Sequence, residues 1–138
     1  MEGMEGYGEH PARAASIRSM TAAEAGDREA WLANFVDDAV VADPIGPSPF
    51  DPEGAGHHGP AGIAAFWDTV VAGNKLRFTI RESYAAGDEC ANVGTITTTL
   101  PDGTNVAVEG VYTYRAAPDG RLAALRAFWQ FDDARVVD

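Results

Sequence analysis

The chain has a single cysteine, Cys90, and few positive charges. Without a second thiol there is no internal disulfide. Cys90 sits in an apolar segment and reads as a small buried hydrophobe of a reducing compartment, so a cytoplasmic location is expected. Ten basic side chains face 21 acidic ones, a formal net charge of −11. No Lys/Arg cluster exists to neutralise phosphates, which argues against nucleic acid as a partner. An anionic membrane surface is disfavoured on the same ground. The acidic residues are dispersed, so the charge reads as solubility rather than as an interacting tail. No run of about 18 apolar residues is present, so no membrane span is expected. The start of the chain lacks the basic-then-apolar order of a secretory leader. A Gly-rich phosphate loop, a Ser/His/Asp nucleophile set and a Cys cluster are also missing.

What remains is 138 residues, 46% of them apolar, enough for one domain with a core and a pocket. Residues 1–12, rich in Gly and Glu, are expected to be a flexible tail, and 13–138 a single domain. Arg13 to Gly26 is Ala-rich and favours helix, with Gly26 as its stop. Asp27 suits the N-cap of a second helix. In that helix Trp31, Leu32, Phe35 and Val36 form one apolar face, and Asp37-Asp38 ends it. Ala39 to Asp43 is a short strand. Pro44 to Gly59 holds four prolines and four glycines and is a long loop, with Phe50 as its apolar anchor. It is either a lid or an insertion without a role. Pro60 opens a third helix, where Ile63, Phe66, Trp67 and Val70 make a buried stripe.

The second half alternates. Leu76, Phe78 and Ile80 mark a half-buried strand. Cys90–Leu100, Val106–Arg115 and Leu122–Phe131 are further strands, separated by Pro-Asp-Gly turns at 101–103 and 118–120. Helices followed by a meander predict an α+β fold, a curved, mainly antiparallel sheet with three helices from the first half packed on its concave face.

The segment that carries chemistry is Val40-Val41-Ala42-Asp43-Pro44-Ile45-Gly46. A carboxylate ends an apolar run just before a proline, a position biased toward extended backbone. Among Val, Ile and Phe it loses water, and desolvation raises its pKa. That suits a general base near neutral pH. The competing reading is an ordinary Asp-Pro turn opener. His57-His58 lacks the further ligands that a metal site needs and reads as solvent-exposed.

Asp37 to Gly46, Gly59, Ile63-Ala64-Ala65-Phe66-Trp67, Val111 to Arg115, Asp119-Gly120-Arg121-Leu122 and Ala127-Phe128-Trp129 together resemble the ketosteroid isomerase (steroid Δ-isomerase) branch of the nuclear-transport-factor-2-like, SnoaL-like superfamily. The resemblance implies a cone-shaped, cystatin-like fold and an apolar pocket for a polycyclic, steroid-like ketone. It implies no cofactor and no metal, and a homodimer formed through the outer face of the sheet. In that family an aspartate base works with an oxyanion hole of a tyrosine and a protonated aspartate. Asp43 matches the base. The tyrosine position holds Ser19 and the second acid position holds Tyr112. Two supporting tyrosines become Phe35 and Trp67, and Trp129 is retained as a pocket wall. The resemblance therefore implies Asp43 and Tyr112 as catalytic residues, with Tyr112 as replacement donor. Trp129, Phe35, Trp67, Ser19, Tyr114 and Phe50 are the expected substrate-binding residues. Alternation puts Tyr112 and Tyr114 on one strand face. The alternatives are a polyketide cyclase or epoxide hydrolase of the same fold, the latter needing a second carboxylate and an Arg or Asn (Arg115, Arg126, Asn92) near the first, or a binding protein without catalysis.

Overall fold

A computed structural model describes residues 1–138. Helix α1 spans Pro11–Ala25. Proline at the first helical position forfeits no hydrogen bond. His10 Nδ1 accepts the Ala12 N–H at 3.1 Å, and Gly26, at φ 68°, ends the helix in the left-handed conformation. The buried side of α1 includes Ala12, Ala15, Ser16, Ser19, Ala22 and Ala23, small residues that let it lie close on the sheet. Helix α2 spans Arg28–Ala33 and is capped by Asp27, whose Oδ1 accepts the Ala30 N–H at 3.1 Å.

The expected extension of α2 through Phe35 and Val36 does not occur; strand β1 occupies Phe35–Ala42. The cause is tertiary. The Asn34 carbonyl accepts the Leu122 N–H at 2.7 Å, the Asn34 amide donates to the Ala15 carbonyl at 2.9 Å, and Phe35 pairs with Leu122. This outweighs the weak preference of a short helix to grow. Helix α3, Gly59–Phe66, continues as a π-helical turn over Trp67–Val71. Ile63, Phe66 and Trp67 are buried, as the stripe predicts.

The other strands are β2 (His57–His58), β3 (Lys75–Ala86), β4 (Glu89–Thr99), β5 (Asn105–Ala116), β6 (Leu122–Phe128) and β7 (Arg135–Val137). Their order is β2-β1-β6-β5-β4-β3, with β7 added to the start of β5. β1 runs parallel to β6, and every other pairing is antiparallel. β6 stops at Phe128 rather than Phe131; Phe131–Asp133 is a 3-10 turn leading to β7. Gly94 and Gly110 face each other across β4 and β5. A Cβ on Gly94 would lie 2.2 Å from the Thr79 carbonyl oxygen, and one on Gly110 2.4 Å from that of Phe128. Glycine alone permits this closeness where the sheet bends. The helices cover the concave face, and the core of Met20, Trp31, Phe66, Trp67 and Leu122 lies between. This is the expected α+β cone, with a mixed, mostly antiparallel sheet.

Residues 1–12, expected as a flexible tail, make contacts with the sheet. Glu2 donates its N–H to the Phe78 carbonyl at 2.9 Å and accepts from the Ile80 N–H at 2.8 Å, extending the sheet past β3. Met4 is buried. Gly3, at φ 99°, sits where a Cβ would come within 1.7 Å of the Ile80 carbonyl oxygen. The free edge of β3 is a template for pairing, and this segment occupies it.

Candidate active site

β1 carries Ala39 and Val41 inward, both fully buried. The next inward residue of that alternation is Asp43. Its peptide bond to Pro44 is cis, and the Ile45 N–H donates to the Ala127 carbonyl at 2.9 Å, fastening the segment to β6. The Asp43 carboxylate opens on a cavity of about 260 Å³ between the helices and the concave sheet. Of the 22 residues lining it 18 are apolar or aromatic, and Asp43 is the one charged group among them. The Trp129 indole Nε1–H donates to Asp43 Oδ1 at 2.7 Å. Burial pushes the Asp43 carboxyl up to about 6, and the Trp129 hydrogen bond offsets part of that rise. A carboxylate at that value is ionised at neutral pH yet basic enough to take a proton from carbon next to a carbonyl.

The structure brings together most of the residues expected at the site. Asp43, Ser19, Phe50, Tyr112, Tyr114 and Trp129 all line the cavity. Phe50 meets Phe131 at a ring separation of 5.5 Å, and Phe131 meets Trp129 at 4.8 Å. The 44–56 loop thus places one aromatic ring at the cavity rim.

Phe35 and Trp67 do not line the cavity. They pack against Trp31, at ring separations of 4.7 and 5.2 Å, and it is Trp31 that faces the cavity. Phe35 fails because it lies on β1 rather than α2. Trp67 fails because Trp31 occupies the space between.

The two tyrosines also differ from expectation. Both are buried, but the Tyr112 hydroxyl already donates to the Val108 carbonyl at 3.2 Å. A phenol has one proton, so Tyr112 is engaged by its own strand. Tyr114 makes no hydrogen bond inside the protein, although no fully enclosed side-chain nitrogen or oxygen lacks a partner. Its oxygen therefore opens on the cavity. Burial and then the nearby Asp43 charge push both phenols above their ordinary value, so both are protonated at neutral pH. On α1, Ser19 Oγ accepts the Trp31 indole N–H at 3.1 Å.

Asn74, Thr98, Val106, Val108 and Phe131 also border the cavity. The alternation of β4 and β5 could have located Thr98, Val106 and Val108. Nothing local marks Phe131, which lies beyond its strand. The groups that an epoxide hydrolase would need are not assembled here. Arg115 and Arg126 are exposed, Asn92 is bonded to Ser16 and Ser83 under α1, and Glu109 faces outward near Arg81 and Arg135 at 3.7 and 3.9 Å. His57 lies against Phe66, while the His58 ring contacts the Ala55 carbonyl at 2.7 Å. No group of three His, Cys, Asp or Glu side chains converges as a metal site.

The SnoaL-like domain family matches residues 17–137. Δ5-3-ketosteroid isomerase from Mycobacterium sp. is 39% identical over 94% of this chain and 100% of that one, with a TM-score of 0.89. RV0760c from Mycobacterium tuberculosis is 35% identical over 95% and 99% of the two chains, with a TM-score of 0.89. Its complex with estradiol-17β-hemisuccinate aligns at 36% identity over 92% and 99%, with a TM-score of 0.86. A computationally designed 17-OHP binder is 34% identical over 94% and 100%, with a TM-score of 0.88.

Proposed function

The chain belongs to the SnoaL-like domain family, and from that membership and its cavity we propose that it is a steroid Δ-isomerase-like enzyme shifting a C=C bond in a hydrophobic polycyclic ketone. The observation that carries the reading is Asp43, a carboxylate raised to about 6, in a cavity with no other charged group. Asp43 removes a proton from the carbon between the carbonyl and the double bond, leaving a dienolate. The carboxylic acid so formed returns the same proton to the far carbon of that system. The net change is isomerisation, with no co-reactant. The apolar walls hold a flat carbon skeleton and keep water from quenching the dienolate. The steroid ligand of RV0760c and the 17-OHP of the designed binder support the ligand class.

The test is turnover of a Δ5-3-ketosteroid, followed by absorbance of the conjugated enone, in wild type and Asp43→Asn. Loss of a positioned base lowers the rate by about 10²- to 10⁴-fold. Equal turnover in both proteins would sink the isomerase reading. Tryptophan quenching by the steroid with no turnover at high protein concentration would select the non-catalytic binder instead. Such a binder is the second reading, and it is favoured by Tyr112 spending its proton on Val108. A homodimer through the outer sheet face belongs to the same proposal, and sedimentation at micromolar concentration tests it.

A further inference from the structure

We propose that Tyr114, and not Tyr112, donates the hydrogen bond that holds the ligand's ketone oxygen, so that the ligand enters carbonyl first with its apolar end at the mouth. Along β5 the cavity-facing residues run from half-buried Val106 to buried Tyr112 and Tyr114, so the closed end is at Tyr114. Of the other polar groups lining the cavity, Ser19 Oγ accepts the Trp31 indole N–H at 3.1 Å, the Asn74 amide donates to the Val70 carbonyl at 2.9 Å, and Thr98 pairs with Val106 at the end away from Tyr114. The Tyr112 proton is spent on the Val108 carbonyl, and the Trp129 indole N–H is spent on Asp43. Tyr114 makes no hydrogen bond in the protein, and its hydroxyl opens on the cavity. Its proton is therefore free to be donated to a ligand oxygen.

The register sets the spacing between base and donor. Val41, Leu125 and Tyr114 share one row across β1, β6 and β5, while Tyr112 and Ala127 share the next. Asp43, two residues after Val41, falls on the Tyr112 row. The carboxylate is thus one row nearer the mouth than the Tyr114 phenol. A ketone oxygen at Tyr114 presents the carbons just outward of its carbonyl to Asp43. Toward the mouth the cavity is bordered by Leu100, Val106 and Ala134, which suit an uncharged hydrocarbon end. The isomerase reading enters only in naming the bound oxygen as a dienolate precursor.

Tyr114→Phe preserves the ring and removes a hydroxyl with no internal partner, so its melting temperature should match wild type. The probe is 2-naphthol, whose aromatic oxygen imitates an enolate, titrated by fluorescence alongside turnover of a Δ5-3-ketosteroid. Tyr114→Phe should lose at least tenfold in naphthol affinity and about 10²- to 10³-fold in kcat. Its pH profile should keep the Asp43 midpoint near 6. Tyr112→Phe should change naphthol affinity less than threefold. Naphthol affinity of Tyr114→Phe within threefold of wild type, or no naphthol binding by wild type, overturns the assignment even if turnover is present. Absent turnover with Tyr114-dependent naphthol binding leaves the assignment standing and removes the isomerase reading.

Discussion

Two polar clusters, one enclosed under α1 and one open to the cavity, are built to opposite rules. In one, Asn92 Oδ1 accepts from Ser83 Oγ at 2.7 Å and from Cys90 Sγ at 3.3 Å, while its amide donates to Ser16 Oγ at 3.1 Å. Arg13 adds a bond to Ser83 Oγ at 2.9 Å, and Ser16 donates to the Arg13 carbonyl at 2.7 Å. In the other, a carboxylate has one indole donor and a phenol has none. A satisfied network rigidifies; an under-satisfied one holds groups ready for an incoming partner. The lesson is that burial alone does not mark a site. What marks it is polar capacity left unused beside empty space.

The sharpest way to break this contrast is to neutralise each cluster. Asp43→Asn should cost about 10²- to 10⁴-fold in kcat while leaving the fold intact. Asn92→Ala should do the reverse. It removes the acceptor of Ser83 and Cys90 and the amide that donates to Ser16, so urea unfolding should show a loss of about 1 to 3 kcal/mol, with steroid binding by the remaining folded protein unchanged. If Asn92→Ala abolishes binding while keeping stability, the division into structural and chemical clusters fails.

The pH dependence of stability separates them further. Asp43 holds its proton more tightly folded, at about 6, than its ordinary 3.8. Between those values the folded state carries a proton that the unfolded state has lost, so stability falls as pH rises and then levels above 6. Asp43→Asn escapes this. Its advantage over wild type should be absent below pH 4 and reach at most about 3 kcal/mol above pH 6. Thermal melts across that range check it. A variant no more stable than wild type at pH 7 would mean that Asp43 is not desolvated. Smaller still is the effect of Trp129→Phe. It removes a bond that stabilises the ionised carboxylate, so the acid limb of the rate profile should move to higher pH. A limb moved to lower pH would contradict the 2.7 Å bond as the cause.

Much of this was legible in the residues. The Ala39–Asp43 run, the β5 alternation and the α3 stripe located Asp43, both tyrosines and one wall of the cavity. Local pattern failed where distant partners decide. Phe35 continues the α2 periodicity, but Leu122 draws it into β1. Trp67 lies on the right helix face, but Trp31 stands in front of it. The pairing of Glu2 with the β3 edge depends on residues far along the chain and leaves no mark in the Gly/Glu-rich start. Which tyrosine has a free hydroxyl depends on a bond to Val108 four residues away, and alternation treats the two alike.

The most direct measurement is an NMR titration of the Asp43 side-chain carboxyl carbon in the ligand-free protein, assigned by its loss in Asp43→Asn. A midpoint near 6 is the result that apolar confinement beside Trp129 requires. A midpoint near 4, the value of an aspartate in open water, would contradict the account at its root.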